Sequence, residues 1–236
     1  MHLFKLLAIM LITFTAISPA LGDGDHPDIK IELNGSELEI HGHGILHSHD
    51  YFRFVDVGGG NWFTSHGGTT WPGFGADNGT FPANSKLDLI LTGGLYYWDA
   101  VSPDGFLPAT GSAYLSIKAS AFSPEYFVYG SSTEQTLGSF ITVNASGGIH
   151  MHPIWQLFGN GTPADGAYYL EISVDGTNYM QSEPVGIMFH KGLTHEQYEL
   201  ALALMGDDHH HDVIPEPSGI MLLAVAASGV LLRRRV

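Results

Sequence analysis

Cysteine is absent from the 236 residues. Its absence removes disulfide staples, thiolate nucleophiles and every cysteine-based zinc motif. Basic residues are scarce: 9 Lys+Arg stand against 24 Asp+Glu, for a formal net charge of −15. Lys5, Arg233, Arg234, Arg235 and Glu216 lie near the two ends, so the stretch between keeps 23 acidic and 5 basic residues, a formal charge of −18. Such a surface repels nucleic acid and anionic membrane and attracts cations. Catalytic signatures are missing too. There is no Gly-x-Ser-x-Gly elbow, no Gly-rich phosphate loop and no Asp-rich calcium loop. His195-Glu196-Gln197-Tyr198-Glu199 opens like a zincin helix but has glutamate where the second histidine is needed. These absences point away from an enzyme.

The long apolar runs are confined to the ends. Residues 1–22 carry one cation, Lys5, then the apolar run Leu6 to Ile17, then Ala20-Leu21-Gly22, the small-residue pattern of a cleaved secretory signal peptide. Residues 214–236 combine Pro215-Glu216-Pro217, an apolar run from Gly219 to Leu232, and Arg233-Arg234-Arg235. Fourteen helical residues rise only about 21 Å, short of a hydrocarbon core of about 30 Å. The whole segment spans as a transmembrane helix only if the arginines snorkel, and they would stay on the cytoplasmic side. This three-part order resembles the PEP-CTERM sorting signal of exported bacterial proteins. The resemblance implies an exosortase as processing partner, removal of the tail, and delivery to the cell surface or its polymer matrix.

Residues 23–206 are long enough for one domain with a core of its own, followed by an acidic, His-containing linker at 207–213. The domain is rich in short apolar runs separated by Gly, Asn, Asp and Ser clusters. Ile29, Ile31 and Leu33, then Leu38 and Ile40, alternate around Asn34-Gly35 and predict a hairpin. Further strands are expected over 51–57, 86–91, 113–119, 135–143, 152–158, 167–174 and 185–190. Thr194 with Gln197 forms a capping box, predicting one helix over 194–205 before Gly206. The expected fold is all-β, an antiparallel β-sandwich with one short C-terminal helix. Of four Asn-x-Ser/Thr sequons, those at Asn34, Asn78 and Asn160 continue with glycine and read as turns; the fourth is at Asn144.

The histidines are unusual. His41, His43, His47 and His49 fall within nine positions, and His150 with His152 forms a third His-x-His. Residues i and i+2 of a strand share a face, so each pair presents two imidazoles together. Imidazole is a ligand for zinc, copper and nickel, and two such pairs on adjacent strands suffice for a tetrahedral ion. The candidate set is His41, His43, His150 and His152, with His47 and His49 as alternates and zinc as the ion. Histidine also sits well on half-exposed strands and in turns, and on that reading the pairs only flank Trp155 and Phe158. The remaining candidate surface is aromatic: Trp62, Phe63, Trp71 and Phe74 either stack on an extracellular polysaccharide or fold over the core.

His26, Asp28, His150, His152, Trp155, Gly166, Tyr168, Leu170, Ser182 and Pro184 together resemble the pattern of certain surface-anchored bacterial proteins. These are the choice-of-anchor M proteins and a zinc-regulated branch of PEP-CTERM proteins. The resemblance implies a β-rich surface domain linked to zinc handling and names no catalytic residue. Pro153 and Asp165 depart from that pattern. The chain is thus expected to be exported and surface-associated, with a membrane contact only through its C-terminal segment. It either binds a divalent metal or serves as an adhesive matrix protein without one.

Overall fold

A computed structural model describes residues 28–41, 45–66, 68–102, 104–110 and 113–205. The expected signal peptide, linker and sorting segment (with Pro215, Glu216, Pro217, Arg233, Arg234 and Arg235) lie outside the described residues, as do His26 and His43. Among the described residues no helix is long and apolar enough to cross a membrane. The strands are β1 (Ile29–Asn34), β2 (Glu37–His41), β3 (Ile45–His47), β4 (Phe54–Asp56), β5 (Trp62–Thr64), β6 (Phe74–Ala76), β7 (Lys86–Leu91), β8 (Tyr96–Trp98), β9 (Leu107–Pro108), β10 (Tyr114–Lys118), β11 (Tyr126–Tyr129), β12 (Gln135–Thr142), β13 (Ile149–Met151), β14 (Ile154–Phe158), β15 (Gly166–Asp175) and β16 (Val185–Lys191). One helix, α1 (His195–Leu204), follows them.

Three sheets result. Their strand orders are β13-β6-β1-β2, β11-β10-β14-β5-β4 and β12-β7-β15-β16-β3, with β8 and β9 attached to β15. Ile29 and Ile31 from the first sheet, Phe54 and Trp155 from the second, and Leu87, Tyr168 and Phe189 from the third share one buried apolar cluster. The fold is therefore all-β, sheet against sheet. The purely antiparallel expectation needs correction at two places, because β1 pairs β6 and β16 pairs β3 in parallel. Parallel neighbours need a long connection, and in both cases several strands intervene in the chain.

The expected strands at 86–91, 113–119, 135–143, 167–174 and 185–190 form within a residue or so of those bounds. The strand expected from His152 starts instead at Ile154: proline at 153 has no N–H for a ladder, and its carbonyl accepts from Thr70 Oγ1 at 2.7 Å. The first hairpin closes through Gly35-Ser36 between paired Asn34 and Glu37, with Gly35 at φ +65. The glycine is needed because the turn takes the left-handed region at that position.

Helix α1 covers the outer face of the third sheet. Tyr198, Ala201 and Leu202 pack with Leu193 against Trp98, Ala167 and Met188. Strand β15 is consequently buried on both faces, which explains its nearly unbroken apolar run. Thr194 caps the helix as its sequence predicts: its Oγ1 accepts from Gln197 N–H at 3.3 Å, and Gln197 Oε1 accepts from Thr194 N–H at 3.0 Å. A Thr194→Ala variant is expected to lose about 1 kcal/mol of stability, whereas Thr194→Asp stays near the parent. Equilibrium denaturant unfolding measures both.

Candidate metal centre

Strand alternation sets the site. In the first sheet Ile29, Ile31, Phe74 and Ile149 turn inward and are buried. Their neighbours must then turn outward. The register pairs Lys30 with Gly75 across β1 and β6, and His150 with Gly75 across β6 and β13. Continuing that register by two residues sets Asp28 and His152 on either side of Gly73. One outward face thus carries Asp28 and Lys30 from one flanking strand and His150 and His152 from the other. Two glycines lie between them.

The glycines make the room. A Cβ at Gly73 would overlap Asp28 Oδ1 and lie 2.7 Å from His152 Nδ1; one at Gly75 would touch Asp28 Cβ at 3.5 Å. Gly73 is itself anchored, since its carbonyl accepts from Ile29 N–H at 2.8 Å. The preceding Trp71-Pro72 peptide is cis, and Pro72 O accepts from Trp155 Nε1 at 2.9 Å.

Among the described residues, Asp28, His150 and His152 form the one group of three potential ligands whose donor atoms all lie within 4.8 Å of one another. Asp28 Oδ1 is buried and has no hydrogen-bond partner. His152 Nδ1 is 3.9 Å away, too far for a hydrogen bond. Lys30, the nearest cation by register, turns to Glu32 at 2.5 Å and Asp77 at 3.6 Å. The buried carboxylate oxygen is therefore uncompensated, which is costly unless a cation arrives. His152 Nδ1 lies 3.1 Å from Thr70 O. A carbonyl oxygen only accepts, so Nδ1 donates this bond and Nε2 is the ring nitrogen it leaves free for an ion. A ligating histidine is usually oriented in just this way by a backbone carbonyl. The edge of Trp71 also packs on the His152 ring, at 4.6 Å between centroids and 80° between planes. Two imidazoles and a carboxylate suit zinc, whose bonds of about 2.0–2.1 Å set tetrahedral donors about 3.3 Å apart. The three groups would close in by about 1 Å or more around such an ion. Asp28 and His150, with Lys30, Gly75, Ala76, Asp77 and Ile149, line a solvent-open cleft of ≈ 410 Å³.

The other candidates separate from this group. His41 lies in the same register row, opposite Lys30. It is three strand spacings from His150, roughly 14 Å, and so cannot share an ion with it. Its Nδ1 lies 3.8 Å from Glu32 instead. Of the alternates, His47 ends β3 in the third sheet and His49 lies in the turn that follows, both against Tyr198 of α1. His49 stacks on His190 at 4.6 Å and meets His195 edge-on at 5.3 Å. Asp28 takes the place expected for His41 in the ligand set. Its signal was parity: Asp28 is out of phase with Ile29 and Ile31, as His150 is with Ile149.

The proposed sugar-stacking aromatics do not form a platform. Phe74 and Trp71 are core residues. The Trp62 ring has Lys191 Nζ 4.2 Å from its centroid, and that buried ammonium is paired with Asp165. This is the folded-over alternative, and it follows from the apolar faces of β5 and β6 meeting the core.

No known family and no curated protein matches the chain. Among solved structures it is similar to CfaE, the adhesive subunit of the CFA/I fimbria of enterotoxigenic Escherichia coli. A mutant of that adhesin aligns with a TM-score of 0.33 at 11% identity, covering 72% of this chain and 50% of the adhesin. Another CfaE structure aligns with a TM-score of 0.26 at 11% identity, covering 70% and 49%. The chain thus spans about half the length of these adhesins, and the likeness carries no argument about function.

Two outcomes follow from the geometry. Gly73→Ala forces Asp28 and His152 apart and is expected to cost about 1–3 kcal/mol in unfolding free energy, as overpacking does. His190 is fully buried, and burial pushes its imidazole down from 6.5 to about 4, against the opposing hydrogen bond to the His49 carbonyl at 2.6 Å. The folded state therefore refuses a proton that the unfolded state accepts. Stability contributed by the neutral ring is complete above pH 6.5 and drains away as pH falls toward about 4. The loss should total about 3 kcal/mol. Denaturant unfolding at pH 8, 6 and 4 measures it, and His190→Gln should flatten that step.

Proposed function

We propose that this chain is an exported, surface-associated, non-catalytic protein that captures a divalent transition metal, zinc by its donor chemistry, through Asp28, His150 and His152. The observation that carries the reading is the buried, unpartnered Asp28 Oδ1 beside two imidazoles over a floor of glycine. Export and sorting rest on the sequence at 1–22 and 214–236, with an exosortase as the processing partner. The acidic surface favours cation approach over nucleic acid or anionic lipid. A solvent-open cleft suits exchange of the ion better than a sealed structural site does. In this role the protein buffers or hands on metal outside the membrane.

Calorimetric titration with zinc tests the reading, in a chain whose His209, His210 and His211 are replaced to remove background. One saturable equivalent is expected, accompanied by a rise in melting temperature, since a ligand that binds only the folded state stabilises it. Asp28→Ala and the double variant His150→Ala/His152→Ala should abolish both effects, and His41→Ala should leave them intact. Absence of saturable binding, or dependence on His41 rather than Asp28, removes the proposal.

A further inference from the structure

A second cavity lies on the third sheet, beside the C-terminal end of α1. Thr92, Gly93, Gly94, Tyr96, Phe106, Tyr169, Glu171 and Met205 line a half-open pocket of ≈ 300 Å³. Tyr96 and Tyr169 are direct cross-strand partners of β8 and β15, and Glu171 follows Tyr169 on the same face. Phe106 approaches from the segment leading into β9. The rings of Tyr96 and Phe106 flank that of Tyr169 at 6.3 and 6.2 Å, inclined by 57° and 62°. Neither stacks flat on Tyr169, so the three rings form the walls of a cup rather than a closed pile. Gly186 allows this: a Cβ there would collide with the Tyr169 ring.

The polar contribution is a single carboxylate. Tyr169 Oη donates to Glu171 Oε1 at 2.9 Å, and Thr92 Oγ1 donates to Oε2 at 3.2 Å. Both carboxylate oxygens are thereby held at the rim, and no lysine or arginine lines the pocket. Aromatic faces attract cations through their quadrupole, and rings gathered around a small cavity are the recognised means of holding a quaternary ammonium group. A protonated primary amine carries three N–H donors, and after its two hydroxyl partners Glu171 keeps only about two lone-pair sites, whereas a trimethylammonium group needs none. The volume lies at the lower end of small-ligand sites.

We infer that Tyr96, Phe106, Tyr169 and Glu171 form an aromatic cage for the trimethylammonium group of a small choline-like molecule. Glu171 supplies the countercharge, and it disfavours zwitterions that bring their own carboxylate close to the nitrogen. This site is independent of the metal centre, and its test is run in excess chelator on the full chain.

The experiment is a titration with choline followed by NMR or calorimetry, beside its neutral carbon isostere 3,3-dimethyl-1-butanol and beside glycine betaine. Saturable choline binding is expected, with the isostere and betaine each at least tenfold weaker. Tyr96→Leu, at an exposed ring, and Glu171→Gln, which keeps an acceptor for one of the two hydroxyls and offers the other an N–H donor, should each weaken choline at least fivefold. Both variants should retain the parent melting temperature within a few degrees; should Tyr96→Leu fail to fold, Glu171→Gln alone decides. No saturation by 50 mM choline overturns the inference. So does equal binding of the isostere, which would mark a merely apolar slot, and so does indifference to Glu171→Gln.

Discussion

The placement of β6 between β1 and β13 is the constraint on which the cluster of Asp28, His150 and His152 depends. β6 has three residues, and only its central pairings bring the start of the domain next to a segment more than a hundred residues later. The strands are locked in phase by burial of Ile29, Phe74 and Ile149. A slip of one residue in any of them would send apolar side chains to water and turn the ligands into the core. Hydrophobic burial, a force with no preference for metal, thereby aims a carboxylate and two imidazoles at the same volume.

The elements with long periodic signals were readable from the residues alone. β1 and β2 alternate cleanly, β7, β12, β15 and β16 are six residues or longer, and α1 declares its start through Thr194 and Gln197. The strands that escaped detection are short: β3, β5, β6, β8 and β13 have three residues each, β9 two and β11 four, too few to show a period of two. The site inherited that difficulty. His150 and His152 were legible as a pair, because His-x-His is a local pattern. Their partner was not, since strand order is a non-local property, and β6 and β1 both had to be placed before Asp28 rather than His41 became the neighbour. The glycines at 73 and 75 looked like ordinary turn residues. Their use became visible only once a carboxylate and an imidazole occupied the space beside them.

Two groups of histidines in one domain show how far environment decides role. His150 lines an open cleft, and the neighbouring His152 ring is oriented by the Thr70 carbonyl. At His49 and His190 the rings stack beneath Tyr198 of α1, and His190 is sealed from water. The first arrangement offers lone pairs to solvent cations, and the second uses the same flat heterocycle as packing material between a sheet and a helix. Clustering in the sequence, denser around His41–His49, did not mark the histidines that share a carboxylate.

The burial of Lys191 between Trp62 and Asp165 has an electrical consequence. The pair cancels one cation and one anion together, so the potential felt by an approaching ion is set by the remaining acidic excess. Dications drift toward such a body faster than diffusion in a neutral field would bring them, and added salt slows them again. The rate at which a dication reaches the domain would then depend on the remaining surface carboxylates and not on this pair.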